Sequence, residues 1–541
     1  MSDRILVIGG TGVFGSRLSA ALARLPGVEV IVAGRDLSAA TALAHRIQAR
    51  AARIDRSDPG PVIEAERPFL VIDAAGPFQP DSQGYPVARA ALRCGAHYLD
   101  LSDDAAFTAG ITALDSFARD RGLVCLSGVS SVPALSAAAV QDLSAGLTDL
   151  HLIDSVILPG NRAPRGLAVV QAILAQAGHP VPFWRAGRPD PVPGWSRPRR
   201  IDIGQGPRWA SPIGAPDLTL FPSAFQARSV RFRAGLELSV MHLGLWALSF
   251  APRLGLVRSL VPLARPLRWM ADRLYPFGTD RGGMRVTVIG TTPTGAEERS
   301  WTLTAEAGDG PEIPTLPARA AVAALCNGKL APGARPCLDL PLAAIEAEMT
   351  PYRITTRQDT RPFPPLFSRA VDLTSLPPAL CDLHTVLDRR IWTGQAEVQR
   401  GRGILSRLVA GLMRFPPASA DTPVTVTMDR QGETELWTRQ FAARRFRSRL
   451  SPPADGNGLI ERFGPLSFRI ALAADATGLA YPVTQGWCLG LPIPRWLLPV
   501  STTRETVDDQ GRACFDVALS HPLTGLIVRY RGWLVEDQSR K

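Results

Sequence analysis

The chain has 541 residues, 60 basic and 49 acidic side chains for a formal net charge of +11, and 45% hydrophobic residues, which predicts two or three globular domains rather than a disordered or fibrous chain. Seven cysteines, at 94, 125, 326, 337, 381, 488 and 514, form no Cys-x-x-Cys pair, so reduced structural thiols in a cytoplasmic protein are expected, with no zinc or other metal. Lysine occurs only at 329 and 541, which excludes a Tyr-x-x-x-Lys pair or a lysine base from the N-terminal region.

The first predicted strand, Ile5 to Ile8, runs straight on from Met1-Ser2-Asp3-Arg4, and no secretory leader is expected. Gly9, Gly10, Thr11, Gly12, Val13, Phe14 and Gly15 follow at once. Glycines at 10, 12 and 15 let backbone amides and the start of the next helix approach a pyrophosphate. Apolar residues at 18, 21, 22 and 25 have helical spacing, and Val28 to Ala33 reads as a second parallel strand, so the dinucleotide fingerprint sits between strand and helix as its chemistry requires. At the end of that strand Gly34 leaves room, Arg35 offers a guanidinium fork for the 2′-phosphate of NADP, and Asp36 is predicted to cap a helix over 37–48. NADP is expected over NAD, although Asp36 could instead reach a ribose hydroxyl.

Ala52 to Asp55 reads as a short third strand and Phe69 to Ala75 as a buried fourth. Then come Gly76, Pro77 and Phe78, a helix over 86–94, a fifth strand over 97–101, one helix over 105–121 and a strand over 123–126. Strands alternating with helices at these lengths make a Rossmann-type, doubly wound parallel sheet over 1–130, with its ligand crevice at the carboxyl ends of the strands. Asp55 and Ala75 to Phe78 are expected at the cofactor, and residues 100–102 and 128–133 around the nicotinamide.

Tyr98, Asp100 and Ser102 alternate along the fifth strand and should share one face. Hydride transfer to an enoyl, carbonyl or imine acceptor needs a proton donor. Tyr98 is the candidate donor, Asp100 its orienter or the direct acid, and Ser102 their neighbour; the competing reading makes Tyr98 core packing and the other two loop and helix caps. His97, His151 and His242 read as structural.

The motifs Gly9 to Gly15, Ala33-Gly34-Arg35, Ala75 to Phe78, Gly95 to Ser102 and Gly128 to Pro133, extended by Pro159 to Gly166, Gly282 to Val286 and Gly308 to Pro314, resemble those of the saccharopine dehydrogenase-like NADP-binding oxidoreductases over residues 1 to about 345. The resemblance implies a mixed α+β domain after the Rossmann domain that covers the nicotinamide and supplies much of the substrate site. Members of that family act on amino-acid imines or resemble lipid-tailoring enoyl reductases.

The α+β domain is placed at 131–374, with a chain that could return to the Rossmann domain. It opens on a helix over 136–147, a strand over 151–158 and a helix over 167–176, and the proline-rich 187–200 reads as loop. Between Arg185 and Arg273 fourteen arginines stand against five acids. The apolar run 238–250, at 13 residues, is shorter than the roughly 20 a bilayer span needs. Arg253, Arg258, Arg265, Arg268 and Arg273 follow, among Leu, Val and Trp269. Residues 238–273 suit a peripheral membrane contact, or else helices closing a substrate pocket or an oligomer interface. Nucleic acid is not expected, because the arginines mix with aliphatic runs rather than with stacking aromatics.

From about Ser375 the pattern turns to period two, as in 424–428, 435–441, 466–472 and 514–519, which predicts a mainly antiparallel β domain over 375–541 curved around a cavity. Through 437–441, 461–465, 491–494 and 530–532 it resembles an uncharacterised domain sometimes fused behind saccharopine dehydrogenase-like enzymes. Arg439, Glu461 and Arg469 read as an exposed charge ladder. The function expected is an NADP-dependent oxidoreductase acting on a C=C, C=O or C=N bond of an apolar lipid or isoprenoid substrate, in the cytoplasm or at the inner face of the membrane, as a monomer or homo-oligomer. The alternatives are amino-acid-forming reductive amination, which needs an arginine clamp for a carboxylate, and a non-catalytic dinucleotide-binding membrane scaffold.

Overall fold

The computed structural model describes residues 3–78 and 84–537, so Met1, Ser2 and Lys541 lie outside the described residues. Two compact units result, the first of 1–184, 189–288 and 299–360, the second of 185–188, 289–298 and 361–541.

The first unit begins with β1 (Asp3–Ile8), α1 (Val13–Leu22), β2 (Val28–Gly34), α2 (Leu37–Ile47), β3 (Arg50–Arg53), α3 (Gly60–Glu66), β4 (Leu70–Asp73), α4 (Pro86–Arg93), β5 (His97–Asp100), α5 (Ala105–Gly110), α6 (Asp115–Arg119) and β6 (Val124–Ser127). The strands pair in parallel in the order β6-β5-β4-β1-β2-β3, the expected Rossmann-type sheet. Its strands are apolar without alternation because both faces are covered. Ile5, Val7, Val32, Leu70 and Ile72 pack into one core, and Leu6, Ile8, Ile31, Val71 and Tyr98 into another on the opposite face.

Two local expectations change. The single helix over 105–121 is broken by a 3-10 turn, Ile111–Leu114, between α5 and α6. The Tyr85 hydroxyl donates to the Phe107 carbonyl at 2.7 Å and crowds Gly110, where a Cβ would lie 2.4 Å from it. A tertiary contact thus interrupts a locally helical segment. The sheet also gains a seventh strand, Gly333–Pro336, parallel to β6. Its Gly-Ala-Arg-Pro sequence carries no strand signal, and it brings the chain back to the Rossmann sheet.

Between β6 and that return lies a mixed sheet. Its strand β7 (Asp149–Leu158) runs parallel to Val230–Gly235, which pairs antiparallel with Pro207–Pro212 and that in turn with Arg199–Asp202. The segment 187–200 is therefore not plain loop: Val192–Pro193 pairs with Pro180–Val181, and Arg199 opens a strand. Two-residue ladders tolerate prolines that a central strand would not.

In the second unit the described residues form a fourteen-stranded sheet whose hydrogen-bonded neighbours run antiparallel, the expected architecture. Trp392, Met428, Trp437, Phe441, Phe446 and Tyr530 are among its core residues.

Candidate functional site

Gly9 adopts a left-handed φ of 73°, and a Cβ there would lie 2.8 Å from the backbone of Ala75. A Cβ at Gly15 would fall 2.2 Å from the Gly9 carbonyl oxygen, so the turn closes only with glycine at both positions. Gly10 and Thr11 lie between β1 and Gly12, and Val13, Phe14 and Gly15 form the first turn of α1. Gly12 caps that helix without a side-chain acceptor, which leaves first-turn amides for an anion. The loop fits a pyrophosphate.

At the end of β2 the register sets Gly34 opposite Arg53 of β3. An open recess here is lined by Arg35, Asp36, Leu37 and Arg53. The Asp36 carboxylate accepts the Ala39 amide at 3.0 Å through one oxygen and caps α2, and the guanidinium groups of Arg35 and Arg53 line the recess beside it. Arg53 escaped the sequence reading because its neighbourhood with Arg35 arises from strand pairing. Asp55 accepts the Ser57 amide and hydroxyl at 3.0 and 2.8 Å, and these bonds, with Arg35 and Arg53 nearby, hold its carboxyl below the usual range. These bonds turn the chain after β3.

At the end of β4 a recess of about 320 Å³ is lined by Arg56, Asp73, Pro77, Tyr85, Tyr98 and Phe107, among others. Asp73 is buried and paired with Arg56, whose guanidinium lies 5.1 Å from the Phe78 ring centre. Phe78 and Tyr85 both pack on Phe107, with ring centres 5.4 and 4.8 Å away. Ala75, Gly76, Pro77 and Phe78 therefore lead from the glycine turn into an aromatic-walled recess. Arg56, Asp73 and Tyr85 were not anticipated; the acid that ends the apolar run of β4 was the available signal.

Tyr98, Asp100 and Ser102 are all buried. Tyr98 reaches the wall of the recess, and burial raises its phenol well above the usual value. Asp100 Oδ1 accepts from the Ser102 amide at 3.0 Å, the Ser127 hydroxyl at 2.9 Å and the Gly128 amide at 2.9 Å, stapling the ends of β5 and β6 together. Burial nevertheless pushes its carboxyl up to about 7. The Ser102 hydroxyl accepts from the Asp104 amide and the Thr108 hydroxyl at 3.2 and 3.1 Å. Thus Tyr98 faces the recess, while Asp100 and Ser102 hold the strand ends. His97 Nδ1 accepts the Val124 amide, and buried His242 bonds to Ser211.

A glycine turn against a helix start, an arginine-flanked recess one strand over and a crevice across the carboxyl ends define a dinucleotide-binding Rossmann domain. Residues 5–126 match the family model of the saccharopine dehydrogenase NADP binding domain, and residues 376–534 match a domain of unknown function, DUF4166. The chain thus carries an NADP-binding domain of dehydrogenase type, which supports an oxidoreductase. Among solved structures it is similar to apo histidine-tagged saccharopine dehydrogenase (L-Glu forming) from Saccharomyces cerevisiae, at 16% identity and a TM-score of 0.48 over 66% of this chain and 100% of that one. It is also similar to the WlbA (WbpB) dehydrogenase from Thermus thermophilus in complex with NAD and α-ketoglutarate, at 15% identity and a TM-score of 0.29 over 63% and 92%. GenD2 from gentamicin A biosynthesis in complex with NAD gives 15% identity and a TM-score of 0.33 over 64% and 92%. No curated protein matches the chain.

Proposed function

We propose that the protein is an NADP-dependent oxidoreductase that moves hydride to or from a C=C, C=O or C=N bond of a hydrophobic lipid or isoprenoid substrate. The observation that carries the cofactor is the recess after β2, where Arg35 and Arg53 both reach the lining and one oxygen of Asp36 is taken up in capping α2. The nicotinamide, when bound, supplies or accepts the hydride. Residues 9–15 bind the pyrophosphate, Gly34 leaves space, and Arg35 with Arg53 hold the 2′-phosphate. Ala75 to Phe78 border the cofactor, and Phe78, Tyr85 and Phe107 shield the recess from water. Tyr98 holds a proton at its hydroxyl there across the neutral range, as a donor must. Asp100 and Ser102 position the end of β5 that carries it.

The substrate class rests on residues 238–277. Around the helices Ser239–Leu248, Phe250–Arg253 and Ala264–Arg273, large apolar side chains stand in solvent, among them Leu256, in the connection after Arg253, at 73% and Phe277, after the last helix, at 75% exposure. Arg253, Arg258, Arg265, Arg268 and Arg273 are interleaved with them. Among the described residues no helix is long and apolar enough to cross a membrane, and this face suits peripheral contact with an anionic bilayer that holds an apolar substrate. The amination reading is less well supported: Arg165 is engaged with Asn161, Arg208 with Glu237 and Arg233 with Asp154.

The test is a fluorescence titration with NADPH and NADH of the protein and of Arg35→Ala and Arg53→Ala. NADPH affinity should fall about tenfold or more in each variant with NADH affinity little changed. Failure of the unmodified protein to bind either nucleotide would overturn the reading.

A further inference from the structure

The sheet of the second unit encloses a cavity of about 430 Å³, within the size range of small-molecule pockets. Its walls are predominantly apolar, with Val426, Phe446, Phe468, Val483, Val517 and Leu519 among the side chains that face it. Native cores contain few voids larger than a water molecule, and empty ones are destabilising in proportion to their volume.

The charged groups in the wall have hydrogen-bond partners within the unit. Arg439 Nη1 donates to Ser448 at 2.7 Å and Nη2 to Glu461 at 3.3 Å, with the guanidinium 4.9 Å from the Trp437 ring centre. Glu505 accepts from the Tyr481 hydroxyl at 2.8 Å and meets His384 Nε2 at 2.6 Å. A charged head group would leave water for a largely apolar enclosure, and a carboxylate would in addition meet Glu461 and Glu505 there, with the Arg439 guanidinium already engaged. The Ser501 and Thr503 hydroxyls, 2.8 Å apart in the same wall, retain capacity for an uncharged hydrogen-bonding group.

The rim shows how such a ligand enters. The helix Ile404–Leu412 contributes Val409 and Leu412 to the lining, yet Leu412 is 80% exposed. Trp496, 65% exposed, stands beside Leu497, which also lines the cavity. The apolar lining therefore continues to the surface.

From the largely apolar walls, the mutually hydrogen-bonded polar groups and the apolar rim, we infer that the second unit is a binding site for a neutral lipid, a single acyl or isoprenoid chain ending in an uncharged hydrogen-bonding group such as an alcohol. The inference concerns a cavity formed by the second unit alone and stands without the redox reading.

The test uses the full chain and N-phenyl-1-naphthylamine, a neutral apolar fluorophore, displaced by hexadecan-1-ol or by hexadecanoate. Saturable one-to-one enhancement is expected, with hexadecan-1-ol displacing the probe at about tenfold lower concentration than hexadecanoate. Val517→Trp and Val483→Trp, which fill the cavity from two walls, should each abolish probe binding while far-UV circular dichroism and NADPH binding stay unchanged. No saturable binding, or binding retained in both folded variants, overturns the site. Equal or better displacement by hexadecanoate overturns the neutral head group. A protein that binds the probe and not NADPH would refute only the redox reading.

Discussion

Arg56 and Asp73 form an ion pair at the carboxyl end of β4, with Nε and Nη2 of the guanidinium 3.0 and 2.9 Å from the same carboxylate oxygen. The other oxygen accepts the Ala75 amide at 3.0 Å. Burial raises the Asp73 carboxyl and Arg56 draws it down, so the pair anchors the turn that leads to Phe78. Arg56→Ala strands a buried carboxylate and should cost about 3–5 kcal/mol in urea unfolding. Arg56→Ala combined with Asp73→Asn should recover part of that loss; an equal or larger loss would show that Arg56 acts through its packing on Phe78 instead.

Gly15→Ala places a methyl group 2.2 Å from the Gly9 carbonyl oxygen, a backbone atom that cannot swing aside. NADPH affinity should fall by more than about tenfold as the turn opens. Gly12→Ala meets the same oxygen at 3.2 Å and should be milder. Isothermal titration of both variants checks the order.

Asp217, in the first turn of the helix Asp217–Ala224, is fully buried, and burial pushes its carboxyl from 3.8 up to about 8, against the opposing effect of the Ser136 hydroxyl. The folded protein keeps a proton that the unfolded chain releases, so the group favours folding fully below pH 3.8 and that contribution is lost as pH rises towards about 8. Asp217→Asn should gain stability relative to the parent across that window, by roughly 4 kcal/mol at neutral pH if the whole shift is realised, and level off above it. Urea titrations at several pH values measure the difference, and a flat difference would refute the assignment.

The membrane contact proposed for 238–277 predicts co-sedimentation with anionic vesicles that weakens with salt. Arg265→Ala and Arg268→Ala should each lose about 1 kcal/mol of binding. Leu256→Ser and Phe277→Ser should weaken binding at every ionic strength, because they remove apolar area rather than charge. Equal recovery on neutral and anionic vesicles would contradict the electrostatic component.

Some features were legible because their causes are local. The apolar runs of β1, β2 and β4 announce strands covered on both faces. Asp36 is followed by helix-compatible residues and caps α2 as expected, and the spacing of the glycines at 9 to 15 marks the turn even though Gly9 also packs against the distant Ala75 backbone. The charges of the second unit were misread. Arg439 shares strand parity with Trp437 and Phe441, which marks the inward face, whereas charge alternation by itself groups it with Glu461 and Arg469 in an exposed ladder. Instead Arg439 and Glu461 pair in the cavity wall, and only Arg469 reaches out to Asp455.

By itself the sequence determined the dinucleotide turn, the NADP-favouring end of β2, the Rossmann alternation and the antiparallel character of the last third, since each depends on residues within one or two elements. Tertiary structure alone decided that Arg53 joins Arg35, that Arg56 neutralises Asp73, that Tyr85 interrupts the helix after Asp104, and that Gly333–Pro336 completes the sheet. It also decided which side chains line the cavity that the period-two pattern predicts. Periodicity states that a strand has two faces, but which face is enclosed depends on strand register and sheet curvature, summed over residues far apart in the chain.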